Sequence, residues 1–144
     1  MDKKCVITFG RFNPPTIGHE KLFDKMAKEA KRNKADYKIF ASKSFDDKKN
    51  PLKYKEKLKL LKTFFPKHKQ AVADDPGRTI IEVLANMTKA GEYDHIIVIV
   101  GQDRVKEFNT LLQKYNGKDY TFKSIKVKNA GMRDPDGEGA EGMS

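Results

Sequence analysis

The amino-acid sequence predicts an α/β domain of the doubly wound kind: a parallel five-stranded sheet, strand order 3-2-1-4-5, with helices on both faces. Three observations carry this expectation. Strand-like and helix-like apolar patterns alternate from end to end, and the connections between strand-like runs have helical length. One run, His95-Ile96-Ile97-Val98-Ile99-Val100, is apolar without alternation. A strand covered on both faces reads in this way, and strands joined by helical crossovers form a parallel sheet.

Each element has its own signal. Cys5-Val6-Ile7-Thr8-Phe9 reads as a first buried strand that Gly10 stops. From Gly18 to Arg32, Leu22, Phe23, Met26, Ala27 and Ala30 recur at spacings of three and four, which is one face of a helix. Tyr37 to Ala41 is a second strand, and Ser42 to Pro51 is a polar loop. Tyr54, Leu58, Leu61 and Phe65 mark a second helix, closed by Pro66, and Ala71-Val72-Ala73 reads as a short third strand. Pro76-Gly77 turns the chain into a helix carrying Ile80, Leu84 and Met87, with Gly91 past its end. The central fourth strand covers His95 to Val100. Val105, Phe108, Leu112 and Tyr115 form another helical stripe, and Tyr120 to Val127 is read as a lysine-studded edge strand. The order is that of a single Rossmann-like domain over residues 1–128. From Asn129 to Ser144 the chain is Gly-rich, acidic and poor in bulky apolar residues, and it is read as a mobile tail or loop.

Composition bounds the rest. A chain of 144 residues forms one compact domain around one core, and a second full domain is excluded. The single cysteine, Cys5, excludes an internal disulfide and any cysteine-based zinc cluster. No secretion signal is read at the N-terminus, and no apolar stretch spans a bilayer, so a cytoplasmic protein is expected, without a membrane partner. The net charge of +10 comes almost wholly from lysine. Arginine occurs only at Arg11, Arg32, Arg78, Arg104 and Arg133, whereas phosphate-forking and base-reading surfaces favour arginine. The lysines are therefore read first as a solubilising coat, and a nucleic-acid partner is the weaker reading.

The segment after the first strand carries the chemistry. In open α/β sheets, ligands bind beyond the carboxyl ends of the strands, where strand order reverses. There the chain reads Gly10-Arg11-Phe12-Asn13-Pro14-Pro15-Thr16-Ile17-Gly18-His19. Gly10 permits a turn that a Cβ obstructs, and Pro14-Pro15 stiffens the loop. Thr16 suits a helix N-cap, and Gly18 lets a phosphate approach backbone. With Thr16 as cap, Thr16 and His19 lie on one side of the first turn, over free N–H groups and the positive end of the helix dipole.

These ten residues resemble the G-x-F-x-P-x-(T/H)-x-G-H signature of the nucleotidylyltransferase superfamily, which includes nicotinamide mononucleotide adenylyltransferases, phosphopantetheine adenylyltransferases and small cytidylyltransferases. Gly10-Arg11-Phe12 looks most like the nicotinamide mononucleotide branch. Asn50-Pro51-Leu52 and Gly101-Gln102-Asp103-Arg104-Val105 agree with that branch, so the similarity spans most of residues 4–128. The resemblance implies ATP-dependent adenylyl transfer to a small phosphorylated acceptor, nicotinamide mononucleotide being the best single choice, with release of pyrophosphate. The Mg²⁺ cofactor is implied to be bound through the triphosphate, with no metal ligands from the chain. His19 and Thr16 are implied as the catalytic pair that binds triphosphate oxygens and stabilises charge at the α-phosphorus. Gly10, Arg11, Phe12, Asn13 and Gly18 are implied to line the triphosphate and acceptor pocket, and Gly101, Asp103 and Arg104 to face the nucleoside.

The superfamily places a second phosphate-binding element, S-x-S/T-x-x-R, after the last strand. Arg133 to Ser144 resembles the run-in to that element in phage-encoded relatives, with Ser144 at its first position, and the rest of it is not among the 144 residues. The resemblance thus extends to a phage-encoded protein acting in a host cytoplasm. Two other functions are kept open: a cytidylyltransferase using CTP, and a non-catalytic nucleotide-binding or assembly protein that uses its basic surface. The implied partners are a nucleoside triphosphate and the acceptor, and a homo-oligomer is left open. Outside the motif, Asp74-Asp75 is read as a turn, His68 and most lysines of the second helix as solvated surface, and Cys5 as packing.

Overall fold

The computed structural model describes residues 3–12, 17–43, 53–75 and 77–130, with only the backbone of Ile17. Strand β1 (Lys4–Gly10) is followed by helix α1 (Ile17–Asn33), β2 (Asp36–Ala41), α2 (Tyr54–Phe64), a 3₁₀ turn (Pro66–Ala71) and the short β3 (Val72–Ala73). The chain continues through α3 (Ile80–Ala90), β4 (His95–Val100), a 3₁₀ turn (Gln102–Arg104), α4 (Val105–Tyr115) and β5 (Ser124–Asn129). All pairings are parallel, in the order β3-β2-β1-β4-β5, which is the expected Rossmann-like sheet.

Strand periodicity divides the core between two faces. Val6, Ile39, Ile97 and Ile99 point to one face, where Leu22, Phe23 and Met26 of α1 and Leu58 and Leu61 of α2 cover them. Cys5, Ile7, Phe40, Ile96, Val98 and Val100 point to the other, under Val83 and Leu84 of α3 and Leu112 of α4. This two-sided burial is why β4 shows no polar alternation. Helix ends follow local chemistry. Lys53 N–H donates to Glu56 Oε1 at 3.0 Å at the start of α2, and the Thr79 hydroxyl accepts from the Glu82 N–H at 3.2 Å at the start of α3. Gly91 ends α3 in the left-handed conformation, φ 67°.

Two expectations are corrected. The last strand is Ser124–Asn129, not Tyr120–Val127. Tyr120 and Phe122 are instead buried beneath α4: the Tyr120 hydroxyl donates to the Leu112 carbonyl at 2.6 Å, and the Asn116 side chain bonds both backbone groups of Phe122. The aromatic content that resembles a strand is there an anchor for the loop before it. The second correction concerns His68, which is buried. Its Nε2–H donates to Asp24 Oδ1 at 2.8 Å and its Nδ1 lies 2.8 Å from the Tyr37 hydroxyl, so the ring joins α1, the 3₁₀ turn and β2.

Ala130 N–H donates to the Val100 carbonyl at 2.8 Å, continuing the sheet one residue past β5. From residue 131 on, the expected tail lies outside the described residues. No helix among the described residues is long and apolar enough to cross a membrane.

Candidate functional site

Strand order reverses between β1 and β4, and register opens a crevice there. The β1–β4 pairing ends at Ile7↔Val98, whereas β1–β2 continues to Gly10↔Ala41 and β4–β5 to Val100↔Asn129. The two central strands therefore part at their carboxyl ends while each stays attached to its outer neighbour. Thr8 Oγ1 donates to the Ile99 carbonyl at 2.9 Å, bridging the point of divergence.

The rim is tied down by side chains from α2 and the adjoining loops. The Ser42 N–H donates to the Gly10 carbonyl at 2.8 Å, and Lys57 Nζ donates to the Ser42 carbonyl at 3.0 Å. Among the α2 lysines Lys55, Lys59 and Lys62 are exposed, as expected for most of them, and the exception is Lys57, which is 0% exposed. Its stem crosses the apolar side of α2 beside Leu58 and Leu61, and its ammonium finds oxygen acceptors at the end of β2. Lys43 Nζ lies 3.7 Å from the centre of the Tyr54 ring and donates to the Asp75 and Gly77 carbonyls. Asp75 Oδ1 accepts from the Gly77 N–H at 2.8 Å and from Asn86 Nδ2 at 3.0 Å, which makes it a turn residue. A Cβ on Gly77 meets Asp75 Oδ1 and the Val83 nitrogen at 2.9 Å each, so only glycine fits this approach.

After Gly10 and Arg11 the chain turns sharply. Phe12 has φ 47°, a left-handed conformation that is costly for a residue with a Cβ. Its fully buried ring packs edge-on against His19 at 4.7 Å and Phe23 at 5.6 Å between centroids. Aromatic burial offsets the backbone strain and directs Arg11 outward to the crevice. His19, in the first turn of α1, is 1% exposed and stacks on Phe23 at 6.3 Å with an interplanar angle of 20°. Gly18 beside it is half-buried.

A cavity of about 740 Å³ opens beside Gly10 on the α3–α4 face of the sheet. Phe9, Gly10 and Arg11 form its β1 wall, and Arg78, Thr79 and Ile80 enter from the start of α3. Asp103 and Arg104 close it from the β4 side, with Glu107, Phe108 and Leu111 of α4. The Arg104 guanidinium sits 5.4 Å from the Phe108 ring centre and 3.6 Å from Glu107 Oε1. The Gly101 carbonyl accepts from the Arg104 N–H at 2.9 Å, which starts the turn that brings Asp103 and Arg104 round. A volume of this size holds a nucleotide-sized molecule, and guanidinium groups recognise its anionic oxygens.

The structure thus brings Gly10, Arg11, Asp103 and Arg104 to one cavity. Phe12, Gly18, His19 and Gly101 do not line it: the first three lie on the α1 side of the crevice, and Gly101 is buried at the end of β4. Asn13 and Thr16 lie outside the described residues, as does Asn50-Pro51-Leu52. Arg78 and the other residues at the start of α3 are the lining that sequence reasoning missed. The scarcity of arginine was the one available signal, since three of the five arginines line this cavity and none of its described lining residues is a lysine.

No curated protein matches the chain. A family described as cytidylyltransferase-like matches residues 7–132, from the middle of β1 to beyond β5. That span includes both strands of the crevice and every described residue of the cavity, and on it the chain belongs to the cytidylyltransferase-like family, within the nucleotidyltransferase superfamily.

Proposed function

We propose that the chain transfers an adenylyl group from ATP to a small phosphorylated acceptor, with nicotinamide mononucleotide as the acceptor of choice. The observation that supports this best is the cavity at the parted ends of β1 and β4, where Gly10 and Arg11 of the motif meet Asp103 and Arg104. An acceptor phosphate oxygen attacks the α-phosphorus, the bond from that phosphorus to the bridging oxygen breaks, and pyrophosphate leaves with the electron pair. The nucleophile is already anionic, so the reaction needs positioning and charge stabilisation and no general base.

In this reading Arg11 neutralises phosphate charge at the crevice, while the first turn of α1, with His19, receives triphosphate oxygens, a role proposed for Thr16 of the motif as well. Binding through the His19 ring requires its covered edge to become reachable, because Phe12 and Phe23 flank it. Among the described residues no group of three or more His, Cys, Asp or Glu side chains is arranged to hold a metal. A Mg²⁺ ion that arrives on the triphosphate would neutralise its charge there, and Asp103 is the cavity carboxylate that would face it. A cytidylyltransferase using CTP is the second reading, supported by the description of the matching family.

The test is pyrophosphate release by the full chain with ATP or CTP, Mg²⁺ and a panel of phosphorylated acceptors. Release that depends on ATP and nicotinamide mononucleotide, and falls about 100-fold or more in a folded His19→Ala variant, is the expected result. Release with CTP alone moves the assignment to the second reading, and no release with any pair overturns both.

A further inference from the structure

The charge of this chain is not shared evenly between its two helix layers. On the layer formed by α1, α2 and the 3₁₀ turn Pro66–Ala71, eleven lysines and arginines stand against four acids. On the opposite layer, formed by α3, α4 and the 3₁₀ turn Gln102–Arg104, four stand against three. A lysine coat that serves solubility alone has no reason to sort to one side of a sheet.

Within the basic layer the cations form rows. Lys21, Lys25, Lys28 and Arg32 follow one another at spacings of four, three and four along α1, on the side away from the buried Leu22, Met26 and Ala30. Lys55, Lys59 and Lys62 repeat the spacing along α2, away from Leu58 and Leu61. Both helices are crossovers between neighbouring parallel strands and cover the same face, so the rows run side by side. At about 1.5 Å per residue they extend for about 16 and 10 Å. Acids do not interrupt them. Asp24 is taken by Lys67 at 3.2 Å and His68 at 2.8 Å, Glu29 is buried against Lys128 and Arg32, and Glu56 accepts from the Lys53 N–H. Glu20, the fourth, precedes the α1 row. Lys55 meets Asp74 at 3.1 Å only in an exposed pair, which water and salt weaken.

The chemistry of the rows points to the kind of partner. Protein interfaces are depleted in lysine and anchored by aromatic rings, and helices that lie on a membrane insert apolar side chains. Neither row contains an apolar residue, and Phe64, the exposed aromatic of α2, falls on the other side of that helix from its row. Single strands are gripped by stacking on aromatic faces, which the rows also lack. Ammonium groups are point charges that neutralise phosphates and carry little base readout. They accept no hydrogen bond either, so the 2′-hydroxyl proton of RNA finds no partner in the rows.

We infer that the α1–α2 face is a docking surface for double-stranded DNA, held through its phosphates without regard to sequence. The surface lies across the sheet from the cavity, so the inference goes beyond the proposed transfer reaction and is independent of it.

The experiment is fluorescence anisotropy of a labelled DNA duplex of mixed sequence, titrated with the full chain at several salt concentrations. A Kd of about 1–100 μM is expected at physiological salt, and a log–log salt dependence of about −4, as for four or five neutralised phosphates. The triple variant Lys21→Gln, Lys25→Gln, Lys28→Gln is expected to bind tenfold or more weakly and to lose about 2.7 of that slope. The pair Lys59→Gln, Lys62→Gln reads the second row independently, with a loss of about 1.8. The triple Lys89→Gln, Lys106→Gln, Lys114→Gln removes equal charge from exposed positions of the opposite layer and is expected to stay within about twofold of wild type. Glutamine sustains helices nearly as well as lysine, and circular dichroism verifies that the variants are folded. No duplex binding at about 50 mM salt, equal losses in the two triples, or tighter binding of single-stranded DNA, an RNA duplex or phosphatidylserine vesicles overturns the inference.

Discussion

Thr8 donates its hydroxyl to the Ile99 carbonyl at 2.9 Å, one step beyond the last paired residues of β1 and β4. The bond sits where the sheet divides to make the crevice, and Thr8 is buried. Thr8→Val keeps the shape and removes the donor. It is expected to destabilise the fold by about 1–3 kcal/mol, because the Ile99 carbonyl loses a partner away from water. Urea unfolding, with circular dichroism as the probe, checks this; an unchanged midpoint contradicts it.

Glu29 is a buried carboxylate on α1 with a partner on β5. The Lys128 ammonium, donating to its Oε2 at 2.8 Å, outweighs burial and holds the carboxyl below its ordinary 4.5, with help from Arg32 and Asn33. A lowered folded pKa means that the stabilisation is complete above about pH 4.5 and is lost as pH falls through the folded value. Glu29→Gln is therefore expected to cost about 1.5–3 kcal/mol at pH 7 and markedly less at pH 3. Denaturant titrations of both proteins at the two pH values test the sign, which is wrong if the gap widens in acid.

Cys5 lies at the start of β1 with no exposed surface, and burial pushes its thiol up to about 12. At pH 8 only about one molecule in ten thousand then carries a thiolate. The native protein is expected to be inert to an aromatic disulfide reagent at pH 8 and to react with one equivalent in guanidinium chloride. Rapid reaction of the folded chain contradicts this.

Legibility in the sequence followed the range of the interactions concerned. The apolar run 95–100, Pro66 after α2 and Gly91 after α3 report on constraints set within a few residues, and the structure has the corresponding elements. His68 and Lys57 stand in lysine-rich surroundings that read as solvent-facing. Their burial depends on Asp24 and Ser42, partners 44 and 15 residues away, which local pattern does not show. The aromatic alternation of Tyr120 and Phe122 resembles a strand because burial on one side gives the same spacing in an anchored loop. At the site, the Gly10-to-His19 motif announces itself by residue type, whereas Arg78 enters through the crossover to α3. Nor does residue type disclose that Phe12 turns left-handed, φ 47°, so that its ring enters the core beside His19.

The central claim concerns which phosphorus is attacked, and label transfer tests it most directly. ATP labelled at the α-phosphorus or at the γ-phosphorus is incubated with the full chain, Mg²⁺ and nicotinamide mononucleotide, and the products are separated. Adenylyl transfer predicts α label in the acceptor product and γ label in pyrophosphate. Label from the γ position on the acceptor, or α label recovered only in ATP and free AMP, contradicts it.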